Sequence, residues 1–236
     1  MNTLQIPAAQ PLAGISSMAT RLLLAELTDA WRGQSGDAVH FESVGGVKAA
    51  QRIREGEVLD IAVLDADVID KLVAEGYVVA GSQTAVVRSG VAIAIKAGAR
   101  RPDTSSEALL RSAVLAAASI GYSTGPSGTA LLRLFERWDI MASIAGRLVQ
   151  APPGVPVGRL VAEGTVELGF QQISELIHVP GIELIKSMPP GCEITTVFSA
   201  GLCAASRQPD AVRALLAFMA SPSADQAKQR QGMESP

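Results

Sequence analysis

The sequence predicts an α/β protein of two lobes, each a mixed, mainly parallel sheet flanked by helices, with two crossovers between them. Three observations lead there. Short apolar runs alternate with helix-period segments through the first third of the chain, the pattern of right-handed βαβ units. The pattern changes at Arg88–Ser89–Gly90, which leads into the long apolar run VAIAIKAG. A Pro189–Pro190–Gly191 break precedes a second long run near the C-terminus. These two passages divide the chain at 1–85, 86–194 and 195–236, with the first and third parts forming lobe one and a cleft between the lobes.

The elements follow from local pattern. Thr3–Pro7 reads as a strand, and Ser17–Trp31 as a helix with Leu22, Leu23, Leu27, Ala30 and Trp31 on one side. Strand Ala38–Glu42 precedes helix Val47–Arg54; strand Asp60–Leu64 precedes helix Ala66–Ala74, which ends at the turn signal Glu75–Gly76. Helix Ser105–Ala118 has Asp103, Thr104 and Ser105 as potential caps. Strand Ile120–Ser123, helix Gly128–Asp139 and strand Leu148–Gln150 come next. A short helix in PPGVPVGRLVAEG, strand Val166–Phe170 and a helix opening at Gln171–Ile177 complete the second lobe's repeats. Two strands bracket the Pro-Pro-Gly break, and helices at Asp210–Met219 and Ser223–Gln231 close the chain.

Of 236 residues, 48% are apolar and 18% charged, enough apolar content for a folded core. The formal charge of −3 argues against a nucleic-acid-binding surface, which carries a basic excess. It leaves room for a small anion, because a pocket can use local dipoles under an acidic exterior. No apolar run approaches a bilayer span, so no membrane insertion is expected. MNTLQIPAAQPLAG lacks a basic region followed by an apolar core; the reading is periplasmic if a leader has been removed and cytoplasmic otherwise. Cys192 and Cys203 flank an extended run about 36 Å long, whereas a disulfide needs Cα atoms about 5.5 Å apart, so both read as buried thiols. His40 and His178 lie in unrelated segments and no metal motif appears, so neither metal nor cofactor is expected. Asp60, Asp65, Asp67 and Asp70 read as strand-start and helix-cap residues.

The most informative segment is IGYSTGPSGT at Ile120–Thr129, followed by the amphipathic ALLRLFERW. It is a strand, a loop rich in small and hydroxylic residues, then a helix. Amides at a helix start have no intrahelical partner, and adjacent hydroxyls add donors, so such a junction holds an anion without a cationic side chain. It is not a nucleotide P-loop, since the Gly-Lys-Ser/Thr signature is missing. Similar junctions occur at Ser16–Ser17 and Ser43–Gly46.

Together with GISSMATRLLLAELTDAW, VHFESVGGVKAAQRIREGEVLDIAVLDADVIDKLVAEG, VVRSGVAIAIKAGA and GTVELGFQQISEL, this segment is similar to the molybdate-binding branch of the type 2 periplasmic solute-binding proteins, the soluble receptors of ATP-driven importers. The resemblance covers most of the chain. It implies the two-lobed type 2 periplasmic-binding-protein-like fold, a monomer capturing a small anion, and an ABC permease as partner if exported. Carried over by position, the family's oxyanion site maps onto Ser16–Ser17, the Ser43–Gly46 loop, the Thr124–Thr129 loop and the Gln171–Gln172 junction. Here Val44–Gly45–Gly46 stands where Ser residues are typical, and Gln171–Gln172 where a Tyr is common. The extra room and two amides favour a larger, carboxylate-bearing ligand over a tetrahedral metal oxyanion.

The expected ligand-binding residues are therefore Ser16, Ser17, Ser43, Gly45, Gly46, Lys48, Arg88, Thr124, Ser127, Gly128, Thr129, Gln171 and Gln172. Ser16 or Ser17 also suits an N-cap, Gly45 and Gly46 also suit a tight turn, and Lys48 also suits solvent. Arg88 serves either a surface or lobe-bridging ion pair or a bidentate carboxylate clamp. Adjacent Gln171 and Gln172 point in different directions, so only one is expected to face the ligand. Capture of an organic carboxylate for an importer is the leading reading. The alternative is isomerisation of an aconitate-like tricarboxylate on the same fold, which some proteins resembling this branch perform; no base for it is evident. Binding of molybdate or another tetrahedral oxyanion, and a cytoplasmic effector-binding or scaffold role, are the remaining readings.

Overall fold

A computed structural model of the protein describes residues 10–236, so the expected strand Thr3–Pro7 lies outside the described residues. The first described strand is instead β1 (Leu12–Ser17), which runs on into a single 3-10 turn (Met18–Thr20) and helix α1 (Arg21–Ser35). Ser16 and Ser17 thus end a strand. Strands β2 (Val39–Val44) and β3 (Ile61–Asp65) alternate with helices α2 (Gly46–Arg54) and α3 (Ala66–Ala74). Asp65 caps α3 by accepting from the Asp67 amide at 3.0 Å.

The hinge-like segment is one 13-residue strand, β4 (Thr84–Lys96). Beyond it lie α4 (Glu107–Ala116), β5 (Ile120–Tyr122), α5 (Pro126–Arg137), α6 (Met141–Ile144), β6 (Leu148–Gln150), α7 (Val157–Ala162), β7 (Leu168–Gln172), α8 (Ile173–Leu176) and β8 (Ile182–Ile185). Strand β9 (Thr195–Leu202) and helices α9 (Pro209–Ala220) and α10 (Asp225–Arg230) finish the chain. Several expected boundaries move, three of them for a visible reason. Helix α4 is capped by Ser106, because Asp103 is engaged by the amide and hydroxyl of Ser105. Helix α5 begins at Pro126, a residue suited to the first helical position. Gln171 and Gln172 complete β7 rather than opening a helix, since both are paired with β4.

The strand order is β2-β1-β3-β9-β4-β7-β5-β6, with β8 also paired to β4. Pairs β1–β2, β1–β3, β5–β6 and β5–β7 are parallel, whereas β3–β9, β4–β9, β4–β7 and β4–β8 are antiparallel. The sheet is therefore evenly mixed rather than mainly parallel: every antiparallel pair involves β4 or β9, the long strands that run between its two halves. Residues 84–90 of β4 pair with β9, and residues 91–96 pair with β7 and β8.

Both faces of each half are covered, which explains the near-continuous apolar strands. Ile61 and Val63 pack with Leu23, Leu27, Trp31, Leu215 and Met219, while their neighbours Ala62 and Leu64 pack with Ala49, Ile53, Ile69 and Leu72 on the other face. The same alternation divides β4: Val91, Ile93 and Ile95 face Leu110, Leu131 and Phe135, while Ala92 and Ala94 face Val157, Val161 and Leu176. With its faces filled by helices, the sheet leaves its strand ends as the place for a ligand.

Candidate functional site

The parallel pairings bring the C-terminal ends of β1, β2 and β3 together in one half, and those of β5, β6 and β7 in the other. All six ends open on one cavity of about 300 Å³. Ser17, Met18, Ala19 and Arg21 line it after β1, Gly45 to Val47 after β2, and Asp65 and Val68 after β3. From the other half come Ser123 to Ser127 after β5, Ala151 to Pro156 after β6, and Gln172, Ser174, Glu175 and His178 around the end of β7. Thr196 and Phe198 of β9 contribute between them.

Of the expected residues, Ser17, Gly45, Gly46, Thr124, Ser127 and Gln172 line this cavity. The others sit outside its lining, each for a visible reason. Ser16 is fully buried behind Ser17, its hydroxyl 2.8 Å from that of its register partner Ser43. Lys48 and Thr129 are exposed beyond the first residues of α2 and α5. Arg88 is engaged on the surface, pairing with the Glu234 carboxylate at 2.5 Å while their backbones exchange two hydrogen bonds. Gly128 packs against the loop: a Cβ there would lie 1.9 Å from the Ser123 carbonyl oxygen. By contrast, Gly45 and Gly46 have open space beside them, with the nearest atom to a Gly46 Cβ being Ser17 Cβ at 4.0 Å. A side chain at either would extend into free space at the cavity edge.

The two glutamines diverge because strand neighbours face opposite sides. Gln171 accepts from the Val157 amide at 2.7 Å and so fastens the start of α7. Gln172 faces the cavity, accepting from the Thr196 hydroxyl at 2.7 Å and donating to Ser89 Oγ at 2.9 Å. These three buried polar residues tie β7, β9 and β4 together where the chain passes between the halves of the sheet.

The donors are arranged around the ends of helices. Neither α2 nor α5 has a side-chain cap, and the first backbone hydrogen bond of α2 comes from Ala49 to Gly45, leaving the amides of Gly46, Val47 and Lys48 ahead of it. Ser123 and Ser127 hydroxyls lie 3.1 Å apart. Ser17 Oγ and Ser174 Oγ, both buried at the cavity wall, have no hydrogen-bond partner among the described residues. A buried hydroxyl left unpaired costs about 1–3 kcal/mol, so two in one cavity favour a ligand that bonds them.

Sequence reasoning did not anticipate Ser174, Arg21, Glu175 or His178. Glu175 lies in the short turn of helix after β7, only partly exposed, and burial pushes its carboxyl up to about 7 despite a hydrogen bond from Gln171 and the nearby positive charge of Arg21. Asp65 is also raised by burial, against the amide bond from Asp67. A carboxyl whose protonated form is favoured by burial, set in a cavity with hydroxyl and amide donors, has the features of an acid–base group acting on an anion. No cluster of three or more metal-ligating side chains occurs among the described residues, and no described helix is long and apolar enough to cross a membrane.

Residues 12–234 match the family described as bacterial extracellular solute-binding protein. An aconitate isomerase from a Pseudomonas species is 32% identical over 236 residues, an alignment covering 96% of this chain and 90% of that protein. Among solved structures, the periplasmic molybdate-binding protein of Azotobacter vinelandii superposes with a TM-score of 0.79 at 18% identity, covering 95% of this chain and 99% of that one. The sulfate-binding protein of Mycobacterium tuberculosis H37Rv gives 0.77 at 12% identity, covering 95% and 86%. At these identities the structural likenesses speak to the fold alone.

Proposed function

Because the chain belongs to the bacterial extracellular solute-binding proteins, we propose that its cavity binds an unsaturated tricarboxylate of the aconitate type and moves a proton between two of its carbons, with Glu175 as the base. The single observation that carries this is the placement of the half-buried Glu175 carboxyl in the cavity wall that also holds the unpartnered Ser17 and Ser174 hydroxyls, with burial pushing that carboxyl up to about 7. The near-full-length similarity to an aconitate isomerase supports the substrate class. An extracytoplasmic location agrees with the family's description.

In this reading the substrate carboxylates take the donors the fold leaves free: Ser17 and Ser174 hydroxyls, the amides at the start of α2, and the Ser123–Ser127 pair at the start of α5. Arg21 supplies positive charge. Glu175 as carboxylate removes a proton from the substrate methylene; the C–H bond breaks, the O–H bond forms, and the electron pair spreads through the double bond onto a carboxylate oxygen. Returning the proton to the former vinylic carbon shifts the double bond onto the former methylene carbon, and the conformation held about that bond when the proton leaves decides which geometric isomer forms. Segments 1–85 with 195–236 and 86–194 act as two lobes that close over the substrate and exclude water, which strengthens these bonds.

Reversible capture for an ABC importer is the second reading, and the free Ser17 and Ser174 hydroxyls serve a held anion equally well. A thermal-shift panel with isomer analysis separates the possibilities. Stabilisation by both aconitate isomers, with interconversion, supports the isomerase. Stabilisation by molybdate or sulfate and not by tricarboxylates overturns it.

A further inference from the structure

His178 lines the same cavity as Glu175, yet the proton transfer described above does not use it. We propose that His178 carries protons between Glu175 and bulk water, so that the proton Glu175 returns to carbon comes from solvent rather than from the substrate. This rests on the isomerase reading of the cavity.

The geometry is local. Glu175 lies in α8 and His178 two residues past its last residue, and both side chains line the cavity. Glu175 is partly exposed, whereas His178 is exposed, so of the two groups lining the cavity the imidazole is the one open to solvent. Its protonation pattern is set from behind. The Gln231 amide nitrogen donates to the Glu26 carboxylate, which turns Gln231 Oε1 toward His178 Nε2 at 3.0 Å. Nε2 therefore bears hydrogen and donates, and Nδ1 keeps its lone pair. Glu26 is further held by Arg230 at 2.8 Å. The charged groups that share its surroundings are Glu175, Arg21 and Asp65 in the cavity lining, and Glu26 with Arg230 behind Gln231.

After Glu175 has taken the methylene proton, the carboxyl O–H bond breaks and an Nδ1–H bond forms, directly or through one water. The imidazolium then releases that proton to bulk water. A solvent proton returns by the same route and is delivered from Glu175 to carbon, leaving both side chains as they began. Without His178, the proton stays on Glu175 and goes back to the substrate more often.

The test is the deuterium content of product formed from trans-aconitate in D2O at low conversion, read by mass spectrometry. Wild-type protein should give mainly singly deuterated product. In His178→Gln and His178→Ala the deuterated fraction should fall at least about twofold, because internal return then competes with slow exchange. A circular-dichroism melt of each variant guards against misfolding, and a ratio of isotopes within one product is insensitive to the amount of active protein. An unchanged deuterated fraction in both variants, with turnover still present, overturns the role of His178 and leaves the isomerase standing. Absence of conversion by wild-type protein removes both.

Discussion

Glu175→Gln separates what the carboxyl does for chemistry from what it does to stability. The side chain loses its proton at an ordinary 4.5 in the unfolded chain and at about 7 in the folded protein. Between these values the folded state holds a proton that the unfolded state has released. Folding is therefore favoured at low pH relative to high pH, and that advantage is lost as the pH rises through about 7. At about 1.4 kcal/mol per pH unit, the window amounts to about 3.5 kcal/mol, reduced toward about 2 by water reaching the partly exposed group. Glutamine is nearly isosteric and cannot ionise. Urea unfolding of wild type and variant at pH 4.5 and 8.5 should show Glu175→Gln gaining about 2–3 kcal/mol relative to wild type between the two conditions. The same variant should bind tricarboxylate as well as wild type or better, having lost a negative charge, while turnover falls by about 10²- to 10⁴-fold. A stability difference that does not change with pH would refute the burial of an ionisable Glu175. Turnover retained within a few-fold would refute its role as base.

Other expectations follow from the same geometry. The kcat/KM profile should rise with pH to a plateau above about 7, and the kcat limb should lie higher still, because a bound polyanion opposes ionisation of Glu175; a flat profile between pH 5 and 9 contradicts this. Ser174→Ala should leave the free protein as stable or more so by up to about 1 kcal/mol while weakening tricarboxylate binding roughly tenfold, measured by calorimetry, since it removes a hydroxyl without a protein partner. Gly46→Val and Gly128→Ala form a contrasting pair. The first meets only open space and should melt like wild type but lose ligand. The second meets the Ser123 carbonyl at 1.9 Å and should lose about 1–3 kcal/mol of stability together with binding. Cys203, buried and pushed up to about 12, should resist thiol reagents in the folded protein.

What could be read from sequence was set by how local the physics is. Helix α3 (Ala66–Ala74) and strand β6 (Leu148–Gln150) were legible to the residue, since a capping Asp65 and a short apolar run carry their own signals. Strand β1 was not: four of the six residues of LAGISS are Ala, Gly or Ser, with weak strand preference, and it is a strand because β2 and β3 pair with it on both sides. The same dependence on partners hid the antiparallel pairs of β4 and β9, which join residues about a hundred apart. In the site, hydroxyl-rich loops such as Ser123–Ser127 announced themselves by composition. Glu175 did not. In SELIH it looks like any acidic residue of a short helix, and its raised pKa arises from burial against a cavity whose other wall begins near Ser17 and Arg21, early in the chain. Arg88 stayed open between an ion pair and a carboxylate clamp, because the partner that decides it, Glu234, lies 146 positions away.

On the proposed reading, this cavity transforms its ligand through Glu175. A proton NMR time course of trans-aconitate with catalytic amounts of the protein at pH 8 tests it most directly. The account predicts growth of cis-aconitate signals toward equilibrium with wild-type protein, and essentially none with Glu175→Gln at equal ligand saturation. Saturable tricarboxylate binding by wild-type protein with no change in double-bond geometry would contradict it.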